Sequence, residues 1–264
     1  MRKSSNPLPA DARSQTGHLH IVASAHRGRT VLTTVERSAP YVVGPPSYRA
    51  GRATAQVIIQ QASPGLLPGD NHDLSLTVGA GARLVVRGQG ATKLYPCPSG
   101  ACARIRTTIR VEEGGELMFL PGELIPFRDA ALRQDTHADI AAGGRLTLSE
   151  IVTLGRVAMG ERDAYRELDL RLRITVGGRL ALVERAHLEP RLRPLSKPGR
   201  HGPSTVSGVL YRVGIEDDVR LPEHGEAQHL IGVGHNNEGV EIIRTVSMSA
   251  QSVHEMFRHV TGRR

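Results

Sequence analysis

Leu74-Ser75-Leu76-Thr77-Val78-Gly79-Ala80-Gly81-Ala82-Arg83-Leu84-Val85-Val86 is the stretch from which the fold is read. Leu74, Leu76 and Val78 alternate with polar residues, which places every second side chain on one face of a strand. Gly79-Ala80-Gly81 turns the chain, and Leu84 and Val86 resume the alternation. Glycine reaches the positive φ that tight turns demand, so the unit reads as a β-hairpin.

The pattern returns three times. Ile109 and Val111 lead through Glu113-Gly114-Gly115 to Leu117 and Phe119; Ile140 leads through Gly143-Gly144 to Leu146 and Leu148; Leu172, Ile174 and Val176 lead through Gly177-Gly178 to Leu180 and Leu182. Four hairpins at a spacing of about 30 residues predict a mostly β chain of antiparallel hairpins, in a layered or helical β-rich domain with a few short helices. All-β chains commonly repeat hairpins, and the spacing is read that way rather than as a repeat architecture.

Helix signals are sparse. A short helix is expected over Asp129–Gln134, after Pro126, and a longer one over 249–260, where Val253, Met256, Phe257 and Val260 fall on one helical face and are expected to pack on the sheet. Four prolines between Glu189 and Ser204 predict an exposed loop at 190–204. The expected organisation is a disordered N-terminal tail at 1–16 and a single β-rich domain over 17–264.

Composition narrows the function classes. The chain of 264 residues carries 34 basic and 26 acidic side chains, a formal charge of +8, with no Trp, 5 Tyr and 3 Phe. Its core must therefore be aliphatic. Only Lys3, Lys93 and Lys197 are lysines, so arginine dominates the positive charge. Those arginines are scattered over the alternating strands and few aromatics are available to stack on bases, which argues against nucleic acid as the partner. No secretory signal and no run of roughly 20 apolar residues is present, which predicts a soluble cytoplasmic protein with no membrane association.

Enzyme signatures are absent too. The sequence has no Gly-x-x-x-x-Gly-Lys-Ser/Thr phosphate loop, no His-Glu-x-x-His helix and no Gly-x-Ser-x-Gly elbow, and Gly88-Gln89-Gly90 lacks the third glycine of a dinucleotide fingerprint. Cys97 and Cys102 offer two thiolates to a soft metal but have no matching second pair, so an exposed loop with incidental thiols is the expectation. Among the 12 histidines, His18 and His20 share a strand face, whereas His254 and His259 lie five apart on a helix and face differently; His224, His229 and His235 complete the C-terminal group. Each is expected to be a surface residue.

Further segments carry a family resemblance. Ser63-Pro64-Gly65-Leu66-Leu67-Pro68-Gly69-Asp70, Gln89-Gly90-Ala91-Thr92-Lys93-Leu94-Tyr95, Leu120-Pro121-Gly122-Glu123-Leu124-Ile125-Pro126-Phe127, Glu150 with Gly155-Arg156 and Gly160-Glu161, and Glu184-Arg185 follow one another in order. Together they resemble the urease accessory protein UreD family, called UreH in some organisms.

That resemblance implies a non-catalytic scaffold joining the urease apoprotein to UreF and the GTPase UreG, in support of GTP-dependent nickel insertion into the urease active site. It implies no tightly bound cofactor, only transient Ni²⁺, and leaves room for a homodimer within the accessory complex. Matching acidic positions Asp70, Glu150, Glu161 and Glu184, with His72 nearby, are the expected nickel route, since Ni²⁺ accepts carboxylate, imidazole and water. For Asp70 the competing role is a turn residue accepting backbone N–H bonds, and for Glu161 and Glu184 an ion pair with Arg156 or Arg185. Gly69, Gln89, Thr92, Lys93, Tyr95, Pro126, Gly155, Arg156, Gly160 and Arg185 are expected to hold architecture or a partner surface. The alternative function is a generic β-rich binding module for another metallocentre or for nucleic acid.

Overall fold

The computed structural model describes residues 14–48, 53–98, 100–197, 200–215 and 229–262. Eighteen strands follow in chain order: β1 Thr16–His26, β2 Arg29–Arg37, β3 Tyr41–Val43, β4 Ser47–Tyr48, β5 Thr54–Gln61, β6 Asn71–Val78, β7 Arg83–Gly88, β8 Thr92–Leu94 and β9 Ala103–Val111, then β10 Glu116–Leu120, β11 Glu123–Pro126, β12 Ala131–Ile140, β13 Arg145–Thr153, β14 Glu167–Val176, β15 Arg179–Leu188, β16 Val206–Val213, β17 His229–His235 and β18 Val240–Ser247. The α-helix among the described residues, α1, spans Ala250–Val260.

Two sheets face each other. The first runs β15-β14-β12-β9-β6-β1-β2 and the second β17-β18-β16-β13-β10-β7-β5-β3. The alternation explains the layers: Ile21, Leu76, Ile109, Ile140 and Ile174 point inward from the first sheet, and Val57, Leu84, Leu117, Phe119 and Leu148 from the second, forming one continuous, mainly aliphatic core that also takes in Tyr41 and Tyr211. Each fully buried side chain of this kind contributes about 1.5–3 kcal/mol.

Three of the four expected hairpins are arches instead. Gly79-Ala80-Gly81 carries the chain from β6 in the first sheet to β7 in the second, so the two strands stack back to back and share no ladder. β6 is hydrogen-bonded in parallel to β1 and β9, and β7 to β5 and β10. The turns at Gly114-Gly115 and Gly143-Gly144 do the same for β9–β10 and β12–β13, and Gly177-Gly178 alone closes an antiparallel hairpin, between β14 and β15. Period-two alternation marks the buried face of a strand but is identical whether the next strand lies beside it or across the core.

The spacing of about 30 residues is therefore the length of one coil of a β-solenoid-like stack, and the repeat architecture is real. Coils pile turn on turn: Glu116 N–H donates to Ala82 O at 2.8 Å and Arg145 N–H to Gly115 O at 2.9 Å. A Cβ at Gly115 would stand 2.9 Å from Glu112 O and 3.0 Å from Gly79 O, so glycine permits this close stacking. Beyond β13 the second sheet continues antiparallel through β16, β18 and β17.

The short helix expected over Asp129–Gln134 is not formed. Asp129 sits at φ +63°, which breaks a helix, and Ala131 already begins β12, whose alternate residues Leu132, Ala138 and Ile140 are buried. In α1, Val253, Met256 and Phe257 pack against Ile151, Leu210 and Ile243 on the outer face of the second sheet. Gly208 makes room for them, since a Cβ there would come within 2.6 Å of Val253 Cγ1.

The tail expected at 1–16 lies outside the described residues up to residue 13, and β1 already starts at Thr16. Within 190–204, Arg191, Leu192 and Arg193 are exposed, while Leu195 is buried in a core cluster with Tyr165 and Leu168.

Candidate functional site

The solenoid has two unlike rims. One consists of the short glycine arches; the other consists of longer loops returning from the second sheet to the first, at 62–70, 89–102, 121–130 and 154–166. Whereas Glu150 lies within β13 and Glu184-Arg185 within β15, the resemblance motifs at 63–70, 89–95, 120–127 and 155–161 fall on this second rim, one coil apart. They stack there: Leu66 N–H donates to Lys93 O at 2.8 Å, β8 and β11 pair in parallel with Leu124 beside Thr92, and Phe127 N–H donates to Leu94 O at 2.9 Å. Gly65 allows the first of these contacts, because at φ +150° its missing Cβ would lie 2.3 Å from Lys93 O.

Behind the rim, between the sheets, lies a cavity of about 220 Å³. Gln89, Thr92 and Lys93 wall it from the rim side, and His72, Gln134 and Glu150 reach it from the strands. Each of these last three continues an inward apolar stripe: His72 precedes Leu74, Leu76 and Val78; Gln134 and Thr136 precede Ala138 and Ile140; Glu150 follows Leu146 and Leu148. The inward face thus turns from aliphatic to polar toward the rim.

His72 is 1% exposed. Its Nδ1 lies 3.0 Å from the Tyr41 hydroxyl, and its Nε2 has no protein partner. Burial pushes the imidazole pKa down against the pull of Asp70 and Asp73, which keeps the ring neutral and able to bind a cation. Burial also holds the Tyr41 phenol well above its ordinary pKa, so it remains protonated.

Glu150 is the chemically unusual group. Burial, reinforced by the charge of Glu184, pushes its carboxyl up to about 7, although hydrogen bonds from Gln134 and Tyr211 favour ionisation. Gln134 Nε2 donates to Glu150 Oε1 at 2.8 Å. Glu184, on β15, stands behind Glu150 with Tyr211 against both, and Arg244 anchors it at 2.6 Å. Glu150, Gln134 and His72 thus bring a carboxyl, an amide and an imidazole to the walls of one cavity, while Glu184 lies outside its lining.

The other sequence candidates occupy different places. Asp70 is buried in a turn outside the cavity, where its carboxylate accepts from Gln15 N–H at 2.7 Å and Leu67 N–H at 2.8 Å. Gly69 beside it adopts φ +84°. Glu161 accepts two bonds of 2.7 Å from Arg156, which holds its carboxyl below the usual range. Arg156 lies 3.9 Å over the Phe127 ring, which in turn meets Tyr95 at 4.9 Å, with Pro126 buried next to it. Gly155 and Gly160, at φ +108° and +71°, shape this loop.

Arg185 lies on the outer face of the first sheet, where it and Arg171 grip Asp169 at 2.8 and 2.6 Å. Burial opposes ionisation of Asp169, but the bonds from Arg171 and Arg185 outweigh it and hold the carboxyl well below its ordinary pKa. Cys97 is buried, with its thiol pKa raised by burial, and Cys102 is half-buried, so the loop is not an exposed pair of thiols. His20 pairs with Glu36 at 3.6 Å and His254 with Glu123 at 2.7 Å, while His224 lies outside the described residues. Among the described residues, no three His, Cys, Asp or Glu side chains come together as a group that could hold a metal ion.

Tyr41, Gln134, Tyr211 and Arg244 were not singled out from sequence as site residues. The available signal was parity: each polar group falls in phase with an inward apolar stripe, as Tyr211 does with Val213.

The UreD urease accessory protein family matches residues 15–263. Several curated relatives carry the name urease accessory protein UreD. The chain is 33% identical over 204 residues to that of Deinococcus radiodurans, covering 77% of this chain and 69% of the relative. It is 36% identical over 202 residues to that of Cupriavidus necator, covering 75% and 68%, and 25% identical over 246 residues to that of Actinobacillus pleuropneumoniae serotype 3, covering 89% and 91%. On the family match across residues 15–263 and the identity to these relatives, the chain belongs to the UreD urease accessory protein family.

Proposed function

We propose that this chain is a non-catalytic scaffold of urease maturation that joins the urease apoprotein to UreF and UreG, and that Ni²⁺ on its way to the urease active site passes through the cavity between the sheets. Supporting the nickel route is one observation above all: Glu150 and the buried His72 line the same cavity between the sheets, and Glu184 lies close enough to Glu150 for its charge to raise the Glu150 pKa. Nickel here is cargo. Weak, incomplete ligation suits a cation that must be handed on, and an ionised Glu150 would attract it while a protonated Glu150 would let it go. GTP would be bound by UreG, in keeping with the absence of a phosphate loop in this sequence.

Of the acidic residues matched from sequence, Glu150 and Glu184 are the ones the proposal assigns to the route. Asp70 and Glu161 are assigned to architecture, because their oxygens are engaged by backbone N–H groups and by Arg156.

Co-expression with UreF, UreG and the urease subunits, followed by size analysis and metal measurement, tests the scaffold. The expected result is a complex containing this chain together with UreF and the urease apoprotein. Elution of this chain by itself under those conditions would overturn it.

A further inference from the structure

We propose that the loops 127–130, 155–166, 189–197 and 200–204, at the β14–β15 end of the motif-bearing rim, form a docking face for a protein partner with an apolar pocket bordered by carboxylates. The proposal rests on the scaffold reading and names the surface that reading leaves open. Three exposed apolar side chains lie on these loops: Val157, Met159 at 69% exposure and Leu192 at 74%. Single exposed apolar residues are ordinary on protein surfaces. What distinguishes these is how they are held and what surrounds them.

Val157 and Met159 sit on a single 3-10 turn whose two ends are fixed. At Gly155 a Cβ would lie 2.0 Å from Glu161 O, and Gly160 closes the turn in the left-handed region. Glu161 bridges back to Arg156, which stacks on Phe127. Leu192 follows Arg191, whose guanidinium bonds both Asp129 and Ala164 O, and Ser196 N–H donates to Asp163 at 3.2 Å. The apolar groups thus protrude from loops already ordered, which lowers the entropic cost of using them in an interface.

Charge on these loops is predominantly positive. Among the described residues these loops hold eight arginines and lysines against four carboxylates, Asp129, Glu161, Asp163 and Glu189, and Arg193, Lys197 and Arg200 are exposed. Three of those acids are tied down by Arg191, by Arg156 and by Ser196 N–H. A partner therefore meets an excess of cations together with the exposed Val157, Met159 and Leu192. Met and Arg at the centre of a patch are typical of protein interfaces, and arginine pairs with carboxylates through two parallel bonds. A nucleic acid would satisfy the cations but leave Met159 and Leu192 without a partner, which favours a protein.

The test measures binding of the purified chain to urease apoprotein and, separately, to UreF, at low and at moderate salt. The variants are Met159→Asp with Leu192→Asp, Arg193→Glu with Lys197→Glu, and Met159→Leu as the conservative control. The proposal expects the first pair to weaken binding to one of the two partners at least tenfold and leave the other unchanged. Reversing the charges should weaken the same partner and reduce its salt dependence, and Met159→Leu should bind as wild type with an unchanged thermal midpoint. Wild-type binding that both variant pairs leave within twofold overturns this face alone. Wild type that binds neither partner overturns the scaffold reading itself. Wild type that binds a DNA duplex, with loss on charge reversal but none on Met159→Asp, while both protein partners bind every variant normally, also overturns the proposal.

Discussion

Glu150 on β13 and Glu184 on β15 belong to opposite sheets, yet they meet across the core with the Tyr211 hydroxyl against both. Two carboxylates this close, in a low-dielectric interior, resist ionising together. Glu150 carries the consequence, because Glu184 has Arg244 to compensate it.

The metal-free protein should therefore show a pH-dependent stability traceable to Glu150. Its folded-state pKa, about 7, lies above the ordinary 4.5, so the stabilisation is fully present below about 4.5 and is lost as pH rises through about 7. The loss amounts to about 3 kcal/mol at most. His72 and His201, whose pKa values burial lowers, contribute with the opposite sign near 6.5. Comparing wild type with Glu150→Gln by denaturant unfolding between pH 5 and 8 isolates the effect: the variant should lack the decline that wild type shows from pH 5 to about 7, and a parallel dependence in both proteins contradicts it.

Asp70→Ala and Glu161→Ala should act on stability. Asp70 satisfies two backbone N–H groups from a buried site, and its loss should cost about 2–3 kcal/mol. The Arg156–Glu161 pair is partly exposed, and its loss should cost about 1 kcal/mol. Thermal unfolding should register both. Nickel delivery measured per folded molecule should stay near wild type, and a selective loss of delivery at unchanged stability would return these residues to the nickel route.

Gly155→Ala should be more damaging than its size suggests. At φ +108° an L-residue is strained, and the new methyl would stand 2.0 Å from Glu161 O, for a cost of about 3 kcal/mol. Thermal unfolding should show a fall of about 6 °C or more. A fall under about 2 °C means that the loop has another conformation within easy reach.

Gly208→Val should lift α1 from the sheet, since a Cβ at this position already conflicts with Val253 and Phe257. Overpacking of this kind costs about 1–3 kcal/mol. Limited proteolysis should then cut near 249–250 while the solenoid survives, and a fragment pattern identical to wild type contradicts the helix docking.

Much of this was legible in the sequence, within a definite limit. The alternation through Leu74, Leu76 and Val78 gives the strand and its buried face, and the stripe Val253, Met256, Phe257 gives the helix and its docking side. Pairing was not legible, because an arch at Gly79-Ala80-Gly81 and a hairpin at Gly177-Gly178 are written with the same residues. The recurrence of about 30 residues held the answer, since motifs one coil apart stack in space. Of the site, His72, Glu150 and Glu184 were visible as residue types. That Glu150 and Glu184 meet, and that Tyr211 and Arg244 join them, depends on strands distant in sequence crossing one core.

The nickel content of urease, measured per active site in host cells with and without this chain, tests the maturation role most directly. Fully nickel-loaded urease should form with the wild-type chain, little in cells that lack it, and a reduced amount with Glu150→Gln despite an intact complex. Fully loaded urease in cells without this chain would contradict the account.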